Sequence, residues 1–523
     1  MKFEARPAWA WPATILAIVT VSLAPFAVVD APAVLDYPNH LARFYILAHP
    51  DDPILSKMYA PHWAILPNVG LDIIGQALLR VFSPQLGGRM VLALSLLAPF
   101  AGATLYARAA FGRWTWWSLG AVIIAFNGMF FLGLMNFLLG LGVALAGAGA
   151  WRVLRRQVRC APAALAGAAI GLAAFLCHIL GFGFFAILIV AQEADALLGP
   201  RREGRLQWRD AWSSAAALAT ALGPTALLYV LTHHSAERGD LLVWRWRAKL
   251  VEWLAPFMTY DMRVTVITAF VLVGVTILLW RRARRASGVD LAIATLAALY
   301  LVAPFAVAGG TFVDTRIPLM AALLVFAGAA PQTSVRGAAS IAVAFALLLV
   351  GRAALVAQNW QGHARDLADL RSELAYVEPG AKLLPAQTAF PDDFPQGAGR
   401  VLPNLARLDD HLGALAVIER RAFWPLLFAD PGQQPLVVRP PYDRLAQPLG
   451  YAPPWQELFE DPPTPPQIAA FPYLDDWRTR FDYVLLQGPK ATGSTPVGLR
   501  LIRADEATSL YRIDHSPLPA APH

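Results

Sequence analysis

One short segment of the sequence groups side chains that can perform acid–base chemistry. Asp36 is followed by His40 and Arg43, and Asp30 stands shortly before them. If this segment is helical, side chains four and seven positions after Asp36 lie on the same helical face as its carboxylate. A carboxylate and an imidazole suit general-base work on a hydroxyl group, and an arginine suits pairing with a phosphate.

Asp36 also has a purely structural interpretation. It stands two residues before Pro38, where an acidic N-cap residue is expected at the start of a helix. His40 could then simply pack against the membrane surface. The sequence leaves both interpretations open, and one residue can serve in both ways.

A second polar group follows two glycines in the segment 309–316. Asp314 and Arg316 stand there, at the outer end of the apolar run 316–330. An arginine at the outer end of a membrane span can bind a lipid phosphate at the level of the headgroups. The alternative is that Arg316 extends toward the headgroups and pairs with Asp314.

Two further candidates stand where apolar runs meet a surface. His178 ends the run 161–178, where a polar group can be functional or can cap a helix. Lys249 lies in the segment 241–257, whose apolar and basic residues repeat with helical spacing and predict a helix lying on the membrane. The candidate residues for binding the substrate are thus Arg316, Arg43, Lys249, Asp314 and His178.

The composition of the chain is that of a membrane protein. Of 523 residues, 57% are hydrophobic and 15% are charged, and the mean hydropathy is +0.48, which is too apolar for an ordinary soluble protein. The formal net charge is +7. It does not indicate nucleic-acid binding, because the arginines gather in short loops between apolar runs. The sequence predicts an α-helical polytopic membrane protein.

The apolar runs predict about eleven transmembrane helices, although several are near the lower limit of length for a span. The runs are 9–29, 89–107, 114–131, 133–151, 161–178, 180–198, 211–231, 264–280, 289–308, 316–330 and 337–357. A cytoplasmic N-terminus places nearly every arginine cluster of this half in cytoplasmic loops, as the positive-inside rule requires. These loops are 108–113, 152–159, 200–209, 281–285 and the turn at Arg336.

The same pattern predicts two domains. Residues 1–357 form a transmembrane domain with a long first outer loop, 30–88, and the surface helix 241–257. Residues 358–523 are rich in proline and charge and form a small α/β domain on the outer side. Its strand-like runs are 381–385, 435–439, 482–487, 499–504 and 509–513, with helical patterns at 363–377 and 404–423, and the outer loop has helical patterns at 38–48 and 69–82.

This arrangement resembles the C-type (GT-C) glycosyltransferase superfamily, the integral-membrane enzymes that use polyprenyl-phosphate sugars. Among its members it is similar to the bacterial RgtA/B/C/D-like and the protein mannosyltransferase-like families. The resemblance covers the whole chain in topology, but in motif only 30–43 and, more weakly, 313–318. The superfamily carries its catalytic acid in the first outer loop, often as an adjacent acidic pair. Here Asp30 and Asp36 are separated, which leaves open which is the base and whether Mg²⁺ or Mn²⁺ takes part.

The resemblance implies transfer of a sugar from a polyprenyl-phosphate donor to a glycan or lipid acceptor, with inversion at the anomeric carbon. On this sequence it implies Asp36 as base with Asp30 as second choice, His40 as an orienting partner, and Arg316, then Arg43 and Lys249, at the donor phosphate. Arginine greatly outnumbers lysine in this alanine-rich chain. This composition indicates a bacterial protein of the inner membrane, whose outer side is the periplasm.

Two other classes of function remain open at this point. A transporter or flippase of lipid-linked intermediates predicts broken helices at mid-membrane and paired half-repeats, and the sequence shows no internal repeat. A non-catalytic assembly or sensor subunit predicts that Asp36 and Arg316 tolerate substitution.

Overall fold

Helices dominate the computed structural model of the protein, which describes residues 9–515 except 158–159, 203–206, 233–241, 308–309, 390–399, 405, 490 and 492–493. The helices of these residues are α1 Ala10–Leu23, α2 Tyr37–Ala48, α3 Leu55–Met58, α4 Gly70–Leu79, α5 Pro84–Phe111, α6 Gly128–Phe131, α7 Met135–Gln157, α8 Cys160–Cys177, α9 Ile179–Arg202, α10 Trp208–Thr232, α11 Lys249–Glu252, α12 Met262–Trp280, α13 Val289–Val302, α14 Ile317–Gly328, α15 Val335–Leu374, α16 Leu415–Arg420, α17 Pro465–Ala470 and α18 Trp477–Arg480.

The strands are few and short. They are β1 Tyr59–Pro61, β2 Ala283–Arg285, β3 Ala329–Pro331, β4 Leu383–Gln387, β5 Leu436–Val438, β6 Tyr483–Gln487, β7 Leu499–Ala504 and β8 Thr508–Ile513. β1 pairs with β5 and β2 with β3, both antiparallel. The remaining four form one sheet in the order β4-β6-β8-β7.

The chain divides into two units, and the second is assembled from separate stretches of sequence. The first unit comprises the residues up to Pro25, Pro67–Leu71 and Leu92–Val356. The second comprises Phe26–Leu66, Asp72–Val91 and the residues from Ala357 onward. Most of the first outer loop therefore folds together with the C-terminal region.

The first unit is built from apolar helices. Seven helices of the described residues are long and apolar enough to cross a membrane: Ala10–Ala27, Pro84–Phe111, Met135–Arg156, Ile179–Leu198, Trp208–Thr232, Met262–Trp280 and Val335–Leu374. Shorter apolar helices include Trp117–Phe131, Ala161–Cys177 and Val289–Val302. Each apolar run of the sequence coincides with a helical segment, so the chain is a multi-pass membrane protein, and the figure of eleven crossings stays a prediction. Residues 158–159 and 203–206 of the predicted cytoplasmic loops lie outside the described part.

Three helical patterns differ from the sequence prediction. The pattern at 404–423, whose residue 405 lies outside the described part, is helical only at Leu412–Ala414 and in α16. The surface segment 241–257, whose first residue lies outside the described part, forms the short helical turns Lys249–Glu252 and Ala255–Phe257 instead of one helix. Pro256 accounts for part of this, since it restricts the preceding residue and offers no N–H. α15 runs without interruption through the predicted end of its span at residue 357, so the helical pattern at 363–377 is its continuation.

The second unit contains a four-stranded mixed β-sheet. β4 and β6 are parallel, and β6–β8 and β7–β8 are antiparallel. All five residues of β6 are buried, as expected for a central strand with apolar side chains on both faces. The strand-like runs of the C-terminal sequence all fall on strands of this unit, which confirms the small C-terminal sheet.

α2 carries the acid–base segment and is packed closely on its neighbours in the second unit. Pro38 lies in its first turn, where the missing N–H has no helical partner to lose. A Cβ atom at Gly88 would lie 2.4 Å from the Tyr37 hydroxyl oxygen, and one at Gly75 would lie 2.5 Å from Cγ of Phe44. Only glycine permits such close approach at these two positions, so the orientation of α2 is fixed by the packing.

Candidate active site

Asp36 occupies the N-cap position of α2 but is not used as a cap. Its side chain makes no capping hydrogen bond within the described residues. Instead, its Oδ1 atom lies 3.3 Å from Nε2 of His411, and the two side chains are 19% and 15% exposed. The carboxylate thus keeps some access to solvent and faces an imidazole.

His411 reaches Asp36 from the C-terminal region. It directly precedes the helical turn Leu412–Ala414, which leads into α16. Its Nδ1 atom is buried and has no hydrogen-bond partner among the described residues. The ring of Phe428 packs edge-on against the imidazoles of both His411 and His40, at centroid distances of 5.1 and 5.6 Å.

His40 is oriented by Arg43, one turn later on α2. Nη2 of Arg43 lies 3.0 Å from Nδ1 of His40. Because a guanidinium can only donate, Nδ1 accepts this bond, and a neutral imidazole then carries its proton on Nε2. His40 is thereby held in one tautomer as a hydrogen-bond donor. The imidazole placed against Asp36 is that of His411, which was not among the sequence candidates.

Arg43 is part of a buried ion pair. Its Nε and Nη2 atoms donate to the two carboxylate oxygens of Asp72 at 2.6 and 3.2 Å, and the side chains are 2% and 0% exposed. A bidentate pair of this kind compensates the charge of a buried carboxylate. Arg43 therefore holds α4 against α2, and a phosphate would have to displace Asp72 to reach it.

Asp30, the second candidate base, lies in an ion-pair network. Its Oδ2 atom lies 2.8 Å from Nη2 of Arg371, and Nε of that arginine donates to Glu419 at 2.7 Å. The charge of Asp30 is thus compensated by a guanidinium, whereas Asp36 faces an imidazole. This difference favours Asp36 as the proton acceptor.

Two of the cationic candidates, Arg316 and Lys249, lie in the first unit, where Arg316 contacts His178. Nη1 of Arg316 is 2.7 Å from Nε2 of His178, and Nη2 donates to the Thr311 carbonyl at 3.0 Å. The ring of Phe137 lies 5.5 Å below the guanidinium and contacts the imidazole edge-on at 5.4 Å. Phe312 has a φ of 58°, a left-handed conformation that a bulky residue adopts only when its surroundings enforce it.

His178 contacts the start of a helix and also faces the arginine. The Leu180 nitrogen lies 2.9 Å from its Nδ1 atom, at the start of α9. Nε2 faces Nη1 of Arg316, and because a guanidinium can only donate, Nε2 accepts that bond. A neutral imidazole has one acceptor nitrogen, so the ring accepts from Arg316 or from Leu180 but not from both. The contact with the Leu180 N–H agrees with a role at the start of the helix, and binding of substrate by His178 stays a prediction. The imidazole and the Thr311 carbonyl hold the Arg316 guanidinium, whose positive charge suits an anionic oxygen.

Lys249 and Asp314 form a structural pair. The ammonium group donates to the carbonyls of Tyr300 and Ala303 at 2.8 and 2.9 Å and to Oδ2 of Asp314 at 2.7 Å. An ammonium has three donor hydrogens, so each is accounted for by these bonds. Asp314 is fully buried and pairs with Lys249. Near the pair, burial and then the charge of Asp314 raise the pKa of Glu252.

The candidates therefore separate into two clusters, each within one unit. The carboxylate cluster comprises Asp36, His40, Arg43, Asp72, His411 and Phe428 in the second unit. The cation cluster comprises Arg316, His178, Phe137, Lys249 and Asp314 in the first unit. Within the described part of the chain, no three His, Cys, Asp or Glu side chains converge as metal ligands would, so no residue is assigned to Mg²⁺ or Mn²⁺.

The residues that sequence reasoning missed are His411 and Phe428. A signal for the first was present, because Asp409, Asp410 and His411 form a run of acids and an imidazole in the proline-rich C-terminal region. Burial and then the charge of Asp409 raise the pKa of Asp410, which indicates an unusually enclosed group of charges. Phe428 had no sequence signal beyond its apolar character.

The fold matches a known protein over its whole length. The crystal structure of ArnT from Cupriavidus metallidurans bound to undecaprenyl phosphate superposes with a TM-score of 0.52 and 13% identity, covering 98% of this chain and 99% of that chain. The chain has the fold of ArnT. For the apo crystal structure of ArnT from the same organism, the TM-score is 0.48 and the identity 12%, with 96% and 98% of the two chains covered.

The likeness to ArnT confirms the predicted helical membrane architecture with a small C-terminal sheet. No protein-family model matches the sequence, and no curated protein matches it. The likeness therefore lies in the arrangement of helices and in the C-terminal sheet rather than in conserved sequence.

Proposed function

We propose that this protein is a GT-C-type membrane glycosyltransferase that moves a sugar from a polyprenyl-phosphate donor to a glycan or lipid acceptor. The observation that carries the proposal is the Asp36 carboxylate, which stands in the first outer loop, makes no capping bond among the described residues, and faces His411 at 3.3 Å. The ArnT fold supports it, because that protein was crystallised with undecaprenyl phosphate.

The reaction assigned to Asp36 is general-base catalysis. Its carboxylate takes the proton from the acceptor hydroxyl as the acceptor oxygen forms a bond to the anomeric carbon of the sugar. The bond from that carbon to the phosphate oxygen breaks on the opposite face, and polyprenyl phosphate leaves with the electron pair. Attack and departure on opposite faces invert the anomeric configuration. A positioned base typically accelerates such a step about 10²- to 10⁴-fold.

The donor phosphate is assigned to Arg316 and His178. Nε2 of His178 and the Thr311 carbonyl accept from the Arg316 guanidinium at 2.7 and 3.0 Å, so His178 orients the cation that would pair with a phosphate oxygen. Fixed donors aimed at a leaving group whose negative charge grows stabilise the transition state more than the ground state. Arg43 and Lys249 were the next candidates after Arg316 for the donor phosphate. They form buried ion pairs with Asp72 and Asp314, respectively.

The site is proposed to open to the periplasm of a bacterial cell. In this topology the N-terminus is cytoplasmic, the chain spans the inner membrane, and the domain 358–523 lies on the periplasmic side of the transmembrane domain 1–357. The arginine clusters of the short loops support this orientation, because cytoplasmic loops carry the excess of basic residues. The acceptor would then be a periplasmic glycan or a lipid of the outer leaflet.

The test is sugar transfer by the purified protein in lipid bilayers. The probes are radiolabelled undecaprenyl-phosphate hexoses and pentoses, with bacterial membrane lipids and glycans as acceptors and with water as the acceptor in a hydrolysis assay. The expected result is release of undecaprenyl phosphate with an inverted product, determined by NMR of the anomeric proton. Movement of an intact donor across the bilayer would indicate a transporter instead, and donor binding without turnover would indicate an assembly or sensor subunit.

A further inference from the structure

The carboxylate of Asp36 has a partner that the proposed chemistry does not yet use. His411 lies against it although the two residues are far apart in the sequence. The side chains are mostly enclosed, 19% and 15% exposed, so water screens their interaction less than it screens a surface pair. The contact is longer than a well-formed hydrogen bond, and catalytic contacts in substrate-free enzymes often tighten only when substrate is bound.

The surroundings of His411 favour one protonation state. Nε2 faces a carboxylate, so it carries a proton that it can donate. Nδ1 is buried with no hydrogen-bond partner among the described residues. A second proton there would leave a buried donor without an acceptor, which is unfavourable. The geometry therefore makes Nε2 the donor of this contact.

The position of His411 is fixed by its own segment. The Leu412 N–H donates to the Asp409 carbonyl at 2.9 Å, which closes the turn that carries His411. Asp409 is held by Arg407 through contacts of 3.0 and 2.6 Å, and Gln387 donates to Asp410. Phe428 packs on the ring itself.

Among the described residues, the ionisable groups near the imidazole include Asp36 from the start of α2, Asp409, Asp410 and Arg407 from the segment of His411, and His40, which contacts the same Phe428 ring. Among them, only Asp36 is placed against Nε2 of His411.

We propose that His411 is a positioning residue of the transfer reaction, which donates its Nε2–H group to Oδ1 of Asp36. This inference rests on the proposed function. The bond favours the ionised carboxylate and leaves Oδ2 to take the proton of the acceptor hydroxyl. His411 keeps its own proton throughout. The C-terminal region thereby contributes directly to the competence of a base that the first outer loop supplies.

The test compares two substitutions of His411 in the full-length protein. The side-chain amide of His411→Gln places an N–H donor about where Nε2 lies, whereas His411→Leu fills similar space without a donor. We expect His411→Leu to lower kcat for donor hydrolysis and transfer about 10- to 100-fold, the range for losing a hydrogen bond to a charged group. The KM for the donor should stay the same. His411→Gln should retain activity within about fivefold.

The pH profile separates positioning from a merely structural role. Loss of a hydrogen bond to an ionised carboxylate disfavours the ionised form, so the acid limb of kcat in His411→Leu should move to higher pH. His411→Gln should keep the limb of the wild-type protein. A defect in folding alone would lower the amplitude of the profile without moving the limb.

Two controls complete the experiment. His49→Leu changes a histidine at the end of α2 that bonds to the Tyr45 carbonyl, and it should leave kcat and the profile unchanged. Asp36→Asn combined with His411→Leu should be no slower than Asp36→Asn alone, because both changes act through one carboxylate. If His411→Leu does not fold, His411→Met takes its place.

The outcomes are distinct. Transfer by the wild-type protein with normal kcat and an unmoved acid limb in His411→Leu overturns the inference and leaves the proposed function intact. Fully multiplicative effects of the Asp36 and His411 substitutions overturn it as well. No transfer by the wild-type protein from any undecaprenyl-phosphate sugar overturns the proposed function itself.

Discussion

The carboxylate cluster and the cation cluster have the same components and opposite charges at their centres. In each, one phenylalanine ring packs edge-on against a histidine: Phe428 against His411, and Phe137 against His178. The imidazole of the first faces the carboxylate of Asp36, and that of the second faces the guanidinium of Arg316. A neutral imidazole can accompany either charge because it is both donor and acceptor.

The difference shows how the partner decides what such a histidine does. Beside Asp36, an imidazole donor keeps a base ionised and ready to accept a proton. Beside Arg316, an imidazole acceptor orients a guanidinium, whose positive charge favours an anion. The carboxylate cluster suits activation of a hydroxyl group, and the cation cluster suits an anionic group such as a phosphate.

Each cluster also has a buried ion pair beside it. Arg43 with Asp72, and Lys249 with Asp314, are almost fully enclosed. The basic residues of these pairs looked like phosphate ligands in the sequence, but their hydrogen bonds are directed to protein groups. A count of positive charges near an outer surface therefore does not identify the residues that bind substrate.

The largest effect is expected from Asp36→Asn, which removes the base but keeps the shape of the side chain. Transfer should fall about 10²- to 10⁴-fold, measured as undecaprenyl phosphate released, with thermal stability unchanged. Asp51→Asn, at an exposed position of the same loop, is the matched control and should be fully active. A larger loss from Asp30→Asn than from Asp36→Asn would show that Asp30, and not Asp36, is the base.

Lys249→Met should act on stability. It leaves the Asp314 carboxylate buried without its cation, which typically costs about 3–5 kcal/mol in the free energy of unfolding. Thermal unfolding in detergent, followed by tryptophan fluorescence, measures the change. Combining it with Asp314→Leu should restore much of the stability. A stable Lys249→Met protein with a raised KM for the donor would instead make Lys249 a substrate ligand.

Arg316→Lys tests the cation cluster with the charge retained. The ammonium cannot reproduce the fork that contacts both His178 and the Thr311 carbonyl, so donor affinity should weaken about 10- to 100-fold. Isothermal titration with undecaprenyl phosphate measures it, and Arg263→Lys, at an exposed position in the first unit, is the control. Unchanged affinity would remove Arg316 from the donor site.

The smallest effect is expected from a carboxylate that serves only structure. Burial alone raises the pKa of Asp52, but the N–H groups of Leu55 and Ile54 and the Arg421 guanidinium outweigh it, so the folded pKa lies below its usual value. Its stabilising contribution is complete above the unfolded pKa of about 3.9 and is lost as pH falls through the folded pKa. Asp52→Ala should cost about 1 kcal/mol at neutral pH, with little change in transfer.

The dependence of stability on pH checks this assignment. The difference in unfolding free energy between Asp52→Ala and the wild-type protein should shrink below pH 4. A difference that stays constant into that range would mean that the charge of Asp52 contributes nothing. The Asp52 carboxylate accepts hydrogen bonds from backbone N–H groups, whereas Asp36 makes no capping hydrogen bond among the described residues.

The sequence predicted those parts of the fold that depend on local pattern. The apolar runs fall on helices, the helical pattern at 38–48 falls on α2, and the strand-like runs of the C-terminal region fall on strands. Length, periodicity and β-branched content determine these elements within a few residues of chain. The segment 241–257 does not form the single surface helix that was predicted. Pro256 accounts for part of this difference, because helical spacing of apolar residues takes no account of a proline.

The site was predicted only in part, because its partners come from distant sequence. Asp36, His40 and Arg316 were chosen by their types and positions, and their roles stay predictions. That His411 meets Asp36 depends on the grouping of the first outer loop with the C-terminal region, which no local pattern encodes. That Lys249 pairs with Asp314 depends equally on tertiary packing, and so the pairing of Arg316 with Asp314 was the natural local expectation.

The central claim is that the carboxylate cluster performs the chemistry and the cation cluster holds the donor. It is tested most directly by measuring undecaprenyl phosphate binding and sugar transfer on the same preparations of wild-type protein, Asp36→Asn and Arg316→Lys. The account predicts that Asp36→Asn binds the lipid like the wild-type protein but does not turn over, and that Arg316→Lys binds it weakly. Weak binding by Asp36→Asn, or full binding by Arg316→Lys, would contradict it.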